Sequence, residues 1–550
     1  MPSRDRRLSL AIIGAGPRAL AAIEALADRL DGTPRRLDLV IFDPHSPPAT
    51  GPNFDPAADP LELLNLPLRA VDLPLARGGF PPFADWLATT DAGPAADFAA
   101  DDFPPRACLG AYLSARWRHL EDRLLGAGHS LSLHPLPVTR LLPCASGWMA
   151  ATPDGTLGPY SEVLLNLGQP QSRPDAQTRR WARHAAQHGL ALLPVYPTAS
   201  LRQAVPDWRN LTVAIRGLGL STFDAVRALT LGCGGRMRGG RYERSGAEPR
   251  IVPFSLDGRP PAPKPETAEL DEAFAPSDAA RADFRQALHD CCAGGGDPEL
   301  RPLRRALAPM AEAVLAARGA AADVLQPDRW LELELDETGS PENDDALDFL
   351  KSTLDMAMGQ TAPSTGFVIG QIWRHLQPDL REIFFDLAPA PPIASALIAL
   401  DEGLKRYSYG PPVRAAQELL ALVEAGVVTL RATADPDIGL TPQGWCLDPD
   451  GGAPVLADVL LDAVLPGPDL DRLAEPLLVD LLAADLLAPM GEGLGLNLGR
   501  DAQALSADGS PMRGLSVLGR MTTGRTIAVD SIHDCFGPAT RAWADRLACD

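Results

Sequence analysis

Lysine is nearly missing from this chain. Only Lys264, Lys351 and Lys405 occur, and arginine supplies the other basic side chains. The formal net charge is −21. Nucleic acid and anionic membranes are bound through Lys/Arg patches, so this balance argues against both as partners. Long apolar runs are missing too. Stretches such as 456–465 are too short, and too broken by Asp, to span a bilayer. Eight cysteines occur in 550 residues, with no C-x-x-C pair. Cys291 and Cys292 are neighbours on a predicted helix, where their side chains diverge. A thiol-disulfide active site is disfavoured, and reduced thiols in a cytoplasmic protein are expected. The H-E-x-x-H, G-x-S-x-G and P-loop patterns are all missing. His184 and His188 stand four apart on a predicted helix but find no third ligand, so no metal site is assigned.

What is present fits a globular protein of more than one domain. A chain of 550 residues is too long for one ordinary core. Hydrophobic content of 45% and charged content of 22% are those of a folded, water-facing molecule. Abundant Ala, Pro and Gly with few lysines follows a GC-rich coding bias. That bias raises the number of chance glycine motifs, so each must be read with its flanking strand and helix. The basic and then apolar opening, M-P-S-R-D-R-R-L-S-L-A-I-I-G, runs straight into a glycine turn and reads as a first strand rather than a signal peptide.

Two glycine turns meet that condition. In L-A-I-I-G-A-G-P-R-A, a buried apolar run leads to Gly14 and Gly16, and a helix starts at Pro17 and Arg18. Gly14 permits the tight turn, Gly16 lets a pyrophosphate approach, and Ala19 allows close helix–strand packing. Residues 37–42 form the next predicted strand, and Asp43 at its end is placed to accept hydrogen bonds from ribose hydroxyls. The turn residues Gly14, Gly16, Pro17, Arg18 and Ala19, with Asp43, are therefore candidates to hold a dinucleotide. The second turn, L-T-V-A-I-R-G-L-G-L-S-T-F-D, repeats the logic with Gly217, Gly219 and Ser221, and Asp224 lies one helical turn on. Arg236, Arg238, Arg241 and Arg244 follow closely. In an acidic chain, Arg236 and Arg238 are candidates for the 2′-phosphate of NADPH, with NADH the alternative.

Further candidates lie between and after the turns. Leu63–Ala70 carries Asn65 and Arg69 in an apolar surround, with Asn65 suited to face a flavin ring and Arg69 a phosphate or carboxylate. Arg106 precedes a predicted helix bearing Tyr112. Gly168 ends a strand where the chain can pass close to adenosine. Near the C-terminus, Gly519 is a flavin contact candidate, and Arg525 and His533 are candidates to face the active site, His533 as a proton shuttle. Residues 268–425 read as mainly helical.

Taken in order, these motifs carry a resemblance. The segments are G-A-G-P-R-A at 14–19, L-L-N-L at 63–66, P-R-A-C-L-G-A-Y-L at 105–113, R-G-L-G-L-S-T-F-D at 216–224, R-S-G-A-E-P-R at 244–250 and D-S-I-H-D at 530–534. The chain resembles the FAD-NAD(P)-binding family of two-dinucleotide flavoproteins, which is similar to the flavin-dependent N-hydroxylating monooxygenases. The resemblance implies an α/β fold of two Rossmann-like dinucleotide-binding domains, for FAD and NADP, with an additional mainly helical block. The expected division is an FAD domain over 1–205 closed by 471–550, and an NAD(P) domain over 206–267 with return strands in 426–470. A helical insertion, the candidate cap, spans 268–425. The implied chemistry is NADPH-dependent reduction of FAD, capture of molecular oxygen as a flavin C4a-hydroperoxide, and oxygen transfer to the amine nitrogen of a small amino acid or amine. The alternatives are a reductase or dehydrogenase without oxygen insertion, and a non-catalytic flavin-binding interaction protein. The sequence leaves substrate identity and oligomeric state open.

Overall fold

The computed structural model describes residues 7–90, 98–293, 296–320, 326–335, 345–431, 433–449 and 452–549. The apolar run before the first glycine turn forms strand β1 (Arg7–Ile13). Helix α1 (Pro17–Leu30) follows, with proline at its start, where a missing N–H costs nothing. Strand β2 (Arg36–Phe42), helix α2 (Arg106–Gly126), strand β3 (Ser130–His134) and strand β4 (Glu162–Leu165) complete this part. The second unit contains β5 (Ala191–Pro194), β6 (Thr212–Arg216), α3 (Leu220–Leu229) and β7 (Arg250–Phe254). The helical stretch from Ala268 to Glu424 includes α4 (Thr365–Leu387) and α5 (Val413–Glu424). The chain then returns through β8 (Val459–Asp462), and closes with β9 (Gln503–Leu505), β10 (Pro511–Val517) and α6 (Pro538–Cys549).

The strands form two main sheets. The first has the order β9-β10-β4-β1-β2-β3, parallel except for the antiparallel β9–β10 pair. The second is wholly parallel, in the order β7-β6-β8-β5. In each sheet the glycine turn follows the strand at which chain connection reverses direction. β1 lies between β2 and β4, and β6 lies between β7 and β8. Beyond the carboxyl ends of such strands lies the crevice where α/β proteins bind nucleotides.

Alternation along β1 explains how the first sheet is covered. Leu10 and Ile12 pack with α1, α2 and α6, whereas Ala11 and Ile13 pack on the opposite face with Trp148 and Leu477. The second sheet shares its core with the helical block. Val213 and Ile215 lie in one cluster with Phe284, Trp330 and Trp373. Among the described residues, no helix is long and apolar enough to cross a membrane.

The second unit begins earlier in the chain than residue 206. Strand β5 pairs with β8, and Trp181 of the helix Ala176–His188 packs against Ala214, Val252 and Leu460. The apolar stretch 455–465 is divided as well. Val455–Ala457 joins a small antiparallel sheet, and β8 joins the parallel one. Asp458 stands between them and accepts a hydrogen bond from the Thr212 amide at 2.8 Å. The segment 427–430 makes a single bridge, Val428 to Ile251, rather than a strand.

Candidate functional site

The first turn is shaped by the neighbouring strand. Gly14 has φ +99, and a Cβ there would stand 2.2 Å from the Asn166 carbonyl oxygen that follows β4. Only glycine fits. Gly16 is different. It caps α1 in extended backbone with no side-chain cap, the first turn of α1 holds no acidic residue, and a Cβ would meet nothing within 4 Å. Pro17 has no N–H and the Ala19 amide donates to the Gly16 carbonyl at 2.9 Å, so what stands before the open space at Gly16 is the positive end of the helix dipole. This is the cradle a diphosphate requires. Gly168, with φ +65 and open space where a Cβ would stand, and Gly519, with φ +98, lie beyond the ends of β4 and β10. The first cofactor thus fits the residues present.

Two residues assigned to this turn do other work. The Arg18 guanidinium is buried and turned to the C-terminal segment. It pairs with Asp534 at 2.8 Å and donates to the Val529 carbonyl at 3.1 Å. Arg18 therefore ties α1 to residues 529–534 and does not face the pyrophosphate cradle. Asp43 accepts from the Ala15 amide at 2.6 Å through Oδ2 and from the His45 amide at 2.8 Å through Oδ1. Its carboxylate thus braces the glycine turn through both oxygens.

The second turn has the same form. Gly217 has φ +101. Gly219 caps α3 without a side-chain bond and faces open space, and Thr222 Oγ1 donates to the Gly217 carbonyl at 2.6 Å. Beside it, Arg216 bridges Asp175 at 3.1 Å and Asp462 at 3.3 Å across the ends of β6 and β8.

The arginine cluster proposed for a 2′-phosphate lies elsewhere. Arg236 and Arg238 sit on an exposed hairpin entered from the C-terminal end of α3 and left toward the first residue of β7. That is the end of the sheet opposite Gly219, roughly 15 Å away along a ten-residue helix at 1.5 Å per residue. Arg238 pairs with Glu243 at 3.3 Å. The segment that does follow the carboxyl end of β7 contains Ser255, Asp257 and Arg259. Ser255 Oγ donates to Asp257 at 2.7 Å, and Leu256 is 85% exposed beside them. Counting to the strand after α3, rather than to the nearest arginines, locates this segment from sequence.

Between the two turns lies a narrow cleft. The first part of the chain lines it with Asn65 and Arg106, α3 with Phe223 and Asp224, and the helical block with Pro411. Asp224 is buried. It accepts from Arg106 at 2.5 Å and from the Tyr196 hydroxyl at 2.6 Å. Burial pushes the Asp224 carboxyl upward against the pull of Arg106, and pushes the Tyr196 phenol up strongly. Arg106 is thus paired with the second unit and is not free to meet the first cofactor.

Sequence reasoning passed over Lys264. Its ammonium group is buried and donates to the Asn65 carbonyl at 2.6 Å and the Gly410 carbonyl at 2.8 Å. Burial, reinforced by Arg374, holds its pKa well below the ordinary lysine value. The signal was present: one of three lysines, set in a proline-rich run, R-P-P-A-P-K-P-E. Close by, Arg69 pairs with Asp101 at 2.6 Å and Asp271 at 2.9 Å. Asp271 also receives Arg374 and His375, which together hold its carboxyl far below the usual range despite its burial.

Neither His533 nor Arg525 is among the residues lining the cleft. His533 Nε2 lies 3.1 Å from the Ala70 carbonyl, and burial lowers its pKa. A neutral ring donating to that carbonyl is the consistent state, so His533 is not free to shuttle protons from Nε2. Arg525 is buried at the C-terminal end of α4. It donates to the Phe385 carbonyl at 2.7 Å and stacks on the Phe385 ring at 4.2 Å. Burial lowers its pKa to about 10. Arg525 caps a helix rather than facing the cleft.

Two parallel sheets, each with an uncapped glycine turn at its switch point, and a helical block packed on the second, define a two-dinucleotide-binding α/β protein. Residues 11–170 match the FAD-NAD(P)-binding family. It is 28% identical over 572 residues to an L-aspartate N-monooxygenase (nitrosuccinate-forming) of Streptomyces cremeus, covering 87% of this chain and 83% of that protein. It is 31% identical over 283 residues to the nitrosuccinic acid synthase npaA of Aspergillus oryzae, covering 47% of this chain and 41% of that one. In fold it is similar to the ornithine hydroxylase of Pseudomonas aeruginosa. That TM-score is 0.53 at 13% identity, with 98% of this chain and 99% of that chain covered. A cadaverine monooxygenase of Erwinia amylovora matches with TM-score 0.51 at 10% identity, covering 98% and 94%.

Proposed function

We propose that this protein is an FAD- and NADPH-dependent monooxygenase that oxidises the amino nitrogen of a small acidic amino acid, with aspartate as the first substrate to test. The observation that carries the reading is the cleft in which three parts of the chain meet. Asn65 comes from the first unit, the start of α3 from the second, and Pro411 from the helical block. A flavin held at Gly14 and Gly16, with Gly168 and Gly519 beside it, fits the open cradle of the first turn. Gly217, Gly219 and Ser221 would hold a nicotinamide dinucleotide, and Ser255, Asp257 and Arg259, past the carboxyl end of β7, are the candidates to select between its two forms. When bound and reduced, the flavin supplies the two electrons that activate oxygen.

The chain's own residues supply the rest. Asn65 offers an unbranched amide at the cleft, and Leu63, Leu220, Phe223 and Pro411 exclude water from it. Lys264 fixes the backbone of Asn65 through its buried amino group. Arg69 and Arg374 stand nearby, paired with Asp101 and Asp271. A substrate carrying carboxylates, rather than a diamine, is the choice to test. The relatives named for aspartate and nitrosuccinate support that choice. We place the reaction in the cytoplasm, where reduced nicotinamide is available and the eight free cysteines stay reduced.

The test is the visible spectrum of the purified protein under anaerobic NADPH, followed by oxygen and either aspartate or ornithine. Rapid bleaching, and an N-oxidised product from aspartate but not ornithine, is the expected outcome. A flavin that NADPH does not bleach would refute the reading, as would oxygen uptake without nitrogen oxidation.

A further inference from the structure

Three polar contacts sew the first unit to the second along one seam. Asp59 pairs with Arg202 at 2.7 Å, Thr198 Oγ1 donates to Glu62 at 2.6 Å, and Arg106 joins Asp224 and Tyr196. Arg106 differs from the others because one guanidinium holds three groups. Its Nε donates to the Leu63 carbonyl at 3.1 Å, its Nη2 to Asp224 at 2.5 Å, and its Nη1 to the Tyr196 hydroxyl at 3.3 Å. Leu63 is two residues before Asn65, and Asp224 is five residues after Gly219. The Tyr196 hydroxyl also donates to Asp224 at 2.6 Å, so the three side chains close a ring of hydrogen bonds. One turn further along the same face of α3, Arg227 pairs with Glu418 of α5 at 3.0 Å. Helix α3 is therefore tied to the first unit through Asp224 and to the helical block through Arg227.

We propose that Arg106 is a positioning residue, with Asp224 and Tyr196 as its supports. It fixes the segment carrying Asn65 against the start of α3, and so sets the separation at which a hydride donor bound at the second turn meets an acceptor bound at the first. A planar fork with a fixed angle between its donors suits this task, whereas a lysine reaches one acceptor at a time. Hydride transfer demands near-contact between reacting atoms, and a small misplacement is costly. This inference rests on the two-cofactor reading above.

The test compares wild type with Arg106→Lys, which keeps the charge, and Tyr196→Phe, which keeps the ring. In the nucleotide-free protein, amide hydrogen exchange at 62–66 and 220–224 should quicken in Arg106→Lys. In the FAD-loaded protein, the anaerobic rate of flavin reduction at saturating NADPH should fall about tenfold in Arg106→Lys and about threefold in Tyr196→Phe. FAD content, NADPH affinity, and the oxygen reaction of dithionite-reduced flavin should all stay at wild-type values. An unchanged reduction rate in Arg106→Lys overturns the proposal. So does a fall matched by equal loss of FAD content or NADPH affinity, which would make Arg106 a ligand-binding residue. A wild-type flavin that NADPH does not bleach refutes the functional reading instead, and unchanged exchange in Arg106→Lys then refutes the positioning role by itself.

Discussion

Gly16→Val separates the folding role of the first turn from its binding role. Gly16 has φ −72 and extended ψ, which valine adopts without strain, and a Cβ there meets no atom within 4 Å. Valine is a poor helix cap, so the apoprotein should lose under about 1 kcal/mol. The cofactor should lose far more. Hydrogen bonds from backbone amides to a charged group are worth about 1.5–3 kcal/mol each. A side chain that blocks two of them removes about 4 kcal/mol, roughly a thousandfold in Kd. Gly14→Ala should behave oppositely. Its backbone has φ +99, which costs about 1–2 kcal/mol for an L-residue. The new methyl would also stand 2.2 Å from a carbonyl oxygen, forcing β1 and β4 apart. The assay is FAD content by absorbance together with the thermal midpoint of the apoprotein. Gly16→Val should be colourless with a near-normal midpoint, and Gly14→Ala should be poorly folded. A Gly16→Val protein that keeps full FAD content would refute the cradle assignment.

Other perturbations test the remaining assignments. Arg236→Ala with Arg238→Ala should leave the ratio of NADPH to NADH affinity unchanged, whereas Arg259→Ala should lower it about tenfold, the scale of one lost charge-assisted contact. Titration of both nucleotides against the two variants decides between the hairpin and the segment after β7. Lys264→Met leaves two buried carbonyls without their donor, which costs about 2–6 kcal/mol at about 1–3 kcal/mol per unpaired group. It should lower the urea midpoint and raise the KM for aspartate more than it lowers kcat, and equal effects on both constants would count against a substrate role. The lowered pKa of His533 gives a pH signature. The unfolded chain binds this proton below about pH 6.5 while the folded chain resists it, so stability falls as pH drops from about 6.5 toward the folded pKa and levels off below it. His533→Gln should flatten the fall of the thermal midpoint as pH drops below about 6.5, and an unchanged slope would mean that His533 is not the group that titrates.

Glycine turns are legible in a sequence because their requirements are local. A strand, a backbone at positive φ and a helix start follow within a few residues, and the surrounding apolar period identifies each. The destination of an arginine is not local. Arg18 adjoins the first turn in sequence, yet its guanidinium is claimed by Asp534 and Val529, more than 500 positions away. Asp43 ends the expected strand, but a short aspartate side chain reaches the Ala15 amide of its own turn. Arg236 and Arg238 stand close to α3 in the chain and at the wrong end of it in space, because a crossover must return to the start of the next parallel strand before reaching the binding edge. The same reasoning shows where a dinucleotide-binding sequence is best searched for its selectivity. Residues just past the carboxyl end of a strand can reach the ligand, and residues between a helix and the following strand cannot. In this chain that places weight on Ser255, Asp257 and Arg259, a segment that runs within a few residues into Lys264, whose ammonium grips the carbonyl of Asn65. The stretch from Ser255 to Lys264 thus joins the edge of the second nucleotide site to the cleft, and a change at either end should be felt at the other.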